Sequence, residues 1–207
     1  MPVTANSSIG ERLPRGRHGL SREQVVGSQR GRIFRAMADT MARKGYATTS
    51  VSEVLRAAGV SRETFYEQFS SKEECFVAAF EAAAEQVLTV IQGAPGADAS
   101  PEQRFERGLR AYLDALADDP AFARVLLIEV YAAGPAAMAR RAALQRRFVD
   151  TIDETFGSRT AADRFADEAL VAAISAMVTA RLAVADIDGL RALHRPLTRF
   201  ARRLRDA

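Results

Sequence analysis

The chain has 207 residues, 48% hydrophobic and 27% charged, a globular composition that excludes a disordered polymer. One cysteine, Cys75, excludes an intrachain disulfide framework, and two histidines, His18 and His194, exclude a multi-histidine metal site. The net charge of +3 is uneven, because residues 1–75 hold 12 Lys+Arg against 8 Asp+Glu whereas residues 76–207 hold 17 against 18. That polarity suits a polyanion partner for the first third, although a solvated basic tail produces the same imbalance.

Residues 1–20 are rich in Arg, Gly and Ser without an apolar core, which reads as a flexible basic arm and not as a secretory signal. Within this arm Pro14-Arg15-Gly16-Arg17 resembles the core of an AT-hook, in which Arg15 and Arg17 would flank a glycine that permits deep approach to an A·T minor groove. A plain tail explains the four residues as well; their place just before a helix-turn-helix pattern, residues 51–69, favours the groove. Ser21-Arg-Glu-Gln24 has the form of a capping box, and Ile33, Phe34, Met37 and Met41 then recur at helical spacing until Lys44-Gly45.

Ser50 and Glu53 form a second box, opening a helix that closes at Gly59, and Ser61 caps another over residues 62–69. Ser71-Lys-Glu-Glu74 begins a long helix with Phe76, Ala79, Phe80, Ala83 and Val87 on one side. Residues 93–100 read as a loop, and Ser100-Pro101 pairs an N-cap with proline at the first helical position. Further helices are predicted from Asp118-Asp119-Pro120 to about Gly134, from Pro135 to Gly157, from Thr160 to about Ala185, and after Asp188-Gly189 to the end. The tally is nine helices and no strand, so the fold class is all-α, in keeping with alanine at about a fifth of the residues. The longest apolar-rich run, residues 169–180, is too short to span a membrane, so a soluble, cytoplasmic protein is expected.

Residues 51–69 read as helix, glycine turn, second helix. Val51, Val54, Leu55, Ala58, Val60, Phe65 and Phe69 can form a small core, leaving Arg62, Glu63, Thr64, Tyr66, Glu67 and Gln68 outward. A helix-turn-helix places such a second helix in the DNA major groove. Arg62 suits guanine, Thr64 a phosphate or a thymine methyl, Gln68 a phosphate or adenine, and Tyr66 and Lys72 the backbone. Ordinary packing of a short helix pair fits this spacing too.

Gly45-Tyr-Ala-Thr-Thr-Ser-Val51, Ala57-Ala-Gly-Val-Ser-Arg-Glu-Thr-Phe-Tyr66, Phe69 and Ser71-Lys-Glu-Glu74 together resemble the DNA-binding domain of the tetracycline-repressor (TetR) family, continuously over about residues 30–80. The resemblance implies backbone contacts for Ser50, Thr64, Tyr66 and Lys72 and base reading for Arg62 and Glu63. Gln68 departs from it, standing where the family often has His, and Cys75 replaces a common aliphatic. It further implies a DNA-binding domain over residues 21–75, followed by a ligand-binding and dimerisation domain over residues 76–207.

In the latter part Tyr112, Phe122, Leu126, Tyr131, Phe148 and Met177 are candidate ligand residues, with Glu129 a further polar handle. Aromatics at this spacing also fit plain core. Leu170, Ile174, Val178, Leu182 and Phe200 are candidate dimer contacts, although these stripes suit an intramolecular core equally and only their C-terminal position and the resemblance favour pairing. The expected function is a homodimeric repressor released from a palindromic operator by a small organic effector, with an activator or architectural regulator as the alternative. The long helix from Lys72 is the expected lever between the two parts. No nucleophile elbow, phosphate loop, zinc motif or dinucleotide fingerprint is present, so neither an enzyme nor a cofactor is expected.

Overall fold

Local capping sets most of the helix starts in the computed structural model, which describes residues 22–94, 96, 99–158 and 160–205. Helix α1 (Arg22–Thr48) leaves helical geometry at Gly45, whose φ of 80° is open to glycine, and resumes for one more turn. In α2 (Val51–Ala58) the Glu53 amide donates to Ser50 Oγ, the Ser50 amide donates back to Glu53, and Gly59 closes the helix in the left-handed region. Ser61 caps α3 (Arg62–Tyr66) through the Thr64 amide, and Ser71 caps α4 (Lys72–Gly93) through the Glu74 amide. The Glu74 carboxylate turns back to the Ser70 amide, one residue before the expected partner.

Helix α5 (Pro101–Asp118) starts with the Ser100–Gln103 box and Pro101. Helix α6 (Pro120–Leu127) is capped by Asp119 and gives way to a 3-10 turn, Glu129–Ala132, so the helix expected to reach Gly134 is interrupted. Helix α7 (Pro135–Phe156) ends at Gly157, and α8 (Ala161–Ala183) begins with the Thr160–Asp163 box. The final predicted segment contains two helices, α9 (Ile187–Ala192) and α10 (His194–Arg205). Its break falls earlier than expected, at Ala185-Asp186, because Asp186 accepts from the Gly189 amide and carries that glycine inside α9. No strand occurs among the described residues.

Helices α1 to α4 enclose Val54, Leu55, Phe65, Phe69 and Phe76 against Ile33, Phe34, Met37 and Met41 of α1. Phe65 and Phe69 are tilted at 5.4 Å and Phe34 meets Phe69 at 5.9 Å, so one aromatic cluster fixes the angle between α1 and α3. Burying each phenylalanine contributes about 1.5–3 kcal/mol before entropy. Helix α4 continues into the second part, packing on α5 and α7, while α8 lies on α7 and α10 on α5. The buried core runs without a gap from Ile33 to Ala201, and Cys75 lies in the first turn of α4, within the core. Cys75 is fully buried and its thiol is pushed up to about 12 by desolvation, which leaves it an inert core residue.

Candidate nucleic-acid interface and buried cavity

Helix α3 is anchored by one face and exposed on the other. Phe65 is fully buried, whereas Arg62, Glu63 and Tyr66 are exposed and Thr64 is half-buried. Arg62 donates to Ser52 Oγ at 3.1 Å and lies 5.8 Å from the Tyr66 ring, so the guanidinium is held over the helix start, where base edges would be met. Thr64 shares a hydrogen bond with Ser61, and the Ser50 hydroxyl is committed to Glu53.

Two of the predicted contacts are placed differently from expectation. Gln68 turns inward: its Nε2 donates weakly to Gln29 at 3.4 Å, and its Oε1 is buried without a partner, so the amide does not face a phosphate. Lys72 Nζ donates to the carbonyls of Tyr46 and Thr49 at 3.0 Å each and sits 4.1 Å over the Tyr46 ring. It therefore ties α4 to the end of α1, and burial lowers its ammonium below the ordinary lysine value. Arg15 and Arg17 lie outside the described residues.

The cap of α2 carries a pH signature. Lys44 donates to Glu53 at 2.6 Å, and with the Ser50 amide and hydroxyl it holds the carboxyl down from 4.5 to about 2. A carboxylate depressed in the folded state stabilises above its unfolded pKa and loses that contribution as pH falls toward about 2. Glu53→Gln should therefore flatten the acid limb of thermal unfolding followed by circular dichroism. Parallel acid limbs for the two proteins would show that the pair contributes nothing.

A cavity of about 330 Å³ opens among α4, α5, α6, α7 and α8. Tyr112, Leu126 and Phe148 line it, with the Tyr112 and Phe148 rings edge-on at 5.8 Å. Burial pushes the Tyr112 phenol well above its ordinary value, opposed by the charge of Arg141, so it stays neutral. The other candidate ligand residues lie elsewhere. Phe122 is buried beneath Arg35 of α1, Tyr131 is 55% exposed and carries Arg141 on its ring, and Met177 points outward from α8. Glu129 is buried at the junction with α1, where it accepts from the Tyr46 amide at 2.7 Å and from Arg124 at 3.3 Å.

The polar residues that do line the cavity include Arg104, Arg141, Gln145 and Ser175, none of which was singled out from the sequence. A signal was there, since Arg141, Leu144, Gln145, Phe148 and Ile152 share one face of α7 at helical spacing.

The apolar residues of α8 divide between two faces. Leu170, Ile174, Val178 and Leu182, expected at a dimer contact, are buried within the protomer itself. The outward face carries Phe165, 72% exposed, with Ala172, Ala176, Met177 and Ala180 after it and Val184, 73% exposed, just past the helix end, and Phe200 is exposed on α10.

The family model for "Bacterial regulatory proteins, tetR family" matches residues 33–79, which covers the aromatic cluster, α2, α3 and the start of α4. Residues 33–79 therefore carry a TetR-type DNA-binding domain. A curated relative, the HTH-type transcriptional activator FasR of Mycolicibacterium smegmatis, is 24% identical over 126 residues, 61% of this chain and 58% of the relative's length. Among solved structures, the fatty acid degradation regulator FadR of Bacillus halodurans superposes with a TM-score of 0.74 at 20% identity, over 84% of this chain and 94% of that one. FadR of Bacillus subtilis, solved in complex with stearoyl-CoA, gives 0.72 at 17% identity over 82% and 96%. In this TetR-like fold α2 and α3 are the helix-turn-helix, and no helix among the described residues is long and apolar enough to cross a membrane.

Proposed function

We propose that the chain is a DNA-binding regulator of the TetR family, a homodimeric repressor that leaves a palindromic operator when a small organic effector fills the cavity. The observation that carries this reading is the way the cavity wall is bonded to the DNA-binding half. Leu126 and Leu127 of α6 line the cavity, and both ends of the same short segment are fastened to α1. At its start Asp119 caps α6 and pairs with Arg35, and just past its end Glu129 accepts from the Tyr46 amide. An effector that pushes α6 outward displaces α1, and with it the angle of α3. This route runs beside the α4 lever expected from the sequence, whose first turn is held to α1 through Lys72. A coupling of ~1–3 kcal/mol between the two sites would weaken operator binding by ~5–150-fold.

Dimerisation rests on two supports. One helix-turn-helix makes too few base contacts for strong discrimination, and a two-fold dimer doubles them at a spacing of ~34–36 Å. The outward face of α8 with Phe200 supplies an apolar surface that a second copy would cover. The FasR relative favours one alternative: the same DNA and effector sites with the opposite regulatory sign.

Arg62, Glu63, Thr64 and Tyr66 are assigned to DNA, with Ser50 and Lys72 supporting the turn. Arg62→Ala is expected to lower affinity for a selected palindrome by about 1–3 kcal/mol with relaxed sequence preference, whereas Tyr66→Phe weakens binding evenly across sequences. Fluorescence anisotropy over a salt series measures both effects. If neither substitution weakens binding, the interface lies elsewhere.

A further inference from the structure

The cavity is a slot rather than a chamber. Its α7 wall runs from Arg141 to Thr155, roughly 21 Å at 1.5 Å per residue, so a volume of about 330 Å³ is spread thinly along that length. Its middle is apolar, with Leu144, Phe148 and Ile152 on α7 facing Leu109 on α5. An arginine stands toward each end, and the two differ in how their charge is met.

Arg104 donates Nη2 to the Thr155 carbonyl at 3.1 Å, at the C-terminal, negative end of the α7 dipole, and Glu154 lines the same end. That end already holds negative charge. Among the described residues Arg141 meets only neutral partners: Gln145 at 3.1 Å, Ser175 at 3.4 Å and the Tyr131 ring. Each arginine has a buried Nε without a hydrogen-bond partner, so the difference lies in the negative charge around Arg104 and its absence around Arg141, whose own charge is felt by the Tyr112 phenol. A partly buried guanidinium without a counter-charge is costly, and an anion whose two oxygens accept from Nε and Nη2 together would relieve it.

Resting on the reading of this cavity as the effector site, we infer that the effector is an unbranched apolar chain with one anionic head group, and that Arg141 binds the head. A carboxylate of a free acid and a phosphate of a coenzyme A thioester share this chemistry. Fused-ring or branched neutral compounds do not suit a slot of these proportions.

The test compares tetradecanoate, tetradecanoyl-CoA and tetradecan-1-ol by calorimetry on the full chain, in wild type, Arg141→Gln and Arg104→Gln. At least one anionic ligand is expected to bind about 10-fold or more tightly than the alcohol, as a charge-assisted hydrogen bond gives. Arg141→Gln should bring that ratio to about unity while leaving alcohol binding intact, which also shows that the variant is folded. Arg104→Gln should leave the ratio standing. Tighter binding of the acid alone assigns the head to a carboxylate, and of the thioester alone to its phosphates. Equal binding of acid, thioester and alcohol would overturn the anionic head while leaving the effector site in place. Loss of the ratio in Arg104→Gln alone would overturn the assignment to Arg141. Absence of binding by all three would overturn the chain-like effector, and if small molecules of other shapes also fail to release operator DNA, the effector-site reading falls with it.

Discussion

Asp167→Ala is expected to cost about 3 kcal/mol of folding stability, near the lower end of what breaking a buried ion pair costs. Asp167 of α8 is fully buried, and its carboxylate accepts from Ser158 Oγ at 2.7 Å and forms an ion pair with the Arg205 guanidinium. Arg205 in turn donates to Ser158 at 3.2 Å and covers the Phe156 ring at 4.4 Å. The cluster pins the end of α10 to the corner between α7 and α8, so its loss frees the last helix as well as leaving a charge uncompensated. At this chain length the loss corresponds to a fall in Tm of roughly 6–12 °C. Arg205→Met combined with Asp167→Ala should be less destabilised than Asp167→Ala alone, since removing both charges removes the unpaired one. Urea unfolding of the three variants decides it, and simple additivity would show that the two residues do not act as a pair.

The parts of this fold that were legible from the sequence are those set by near neighbours. Ser50 with Glu53, Ser100 with Gln103 and Thr160 with Asp163 bond across three residues, and each places a helix start where the pattern puts it. Gly59 likewise ends α2 because its φ of 63° disfavours a side chain. Position in space was not legible. Helix α8 is apolar on two faces, and periodicity reports both without saying which one the protomer keeps; Leu170 and Val178 went inward and Phe165 and Val184 outward. In the sequence Arg141 is one arginine among many, because its unmet charge depends on Gln145, Ser175 and Tyr131 being its neighbours in space. Glu129 pointed to a ligand from the sequence, yet its partner is an amide 83 residues away.

That amide makes Glu129 the place to break the connection between cavity and DNA. Glu129→Ala leaves the Tyr46 N–H without its acceptor and Arg124 without its carboxylate at a buried site, which should cost about 2–3 kcal/mol. Glu129→Gln keeps an acceptor for Tyr46 and loses the charge on Arg124, so about 1 kcal/mol is expected. The functional consequence should exceed the loss of stability. Arg124 also donates to the Leu182 carbonyl at the end of α8, so one side chain touches the cavity helix, the outward-facing helix and the carboxylate that holds α1. With Glu129 removed, α6 can shift without carrying Tyr46 along, and the release of operator by tetradecanoate or tetradecanoyl-CoA should fall toward unity although ligand affinity stays within a few-fold. Asp119 and Arg35 still hold the start of α6, so operator binding without ligand should survive. Anisotropy titrations of operator with and without ligand, alongside calorimetry of ligand alone, separate the two effects. A Glu129→Ala protein that binds ligand and releases DNA as the wild type does would place the coupling on α4 instead, where Lys72 holds Tyr46 and Thr49.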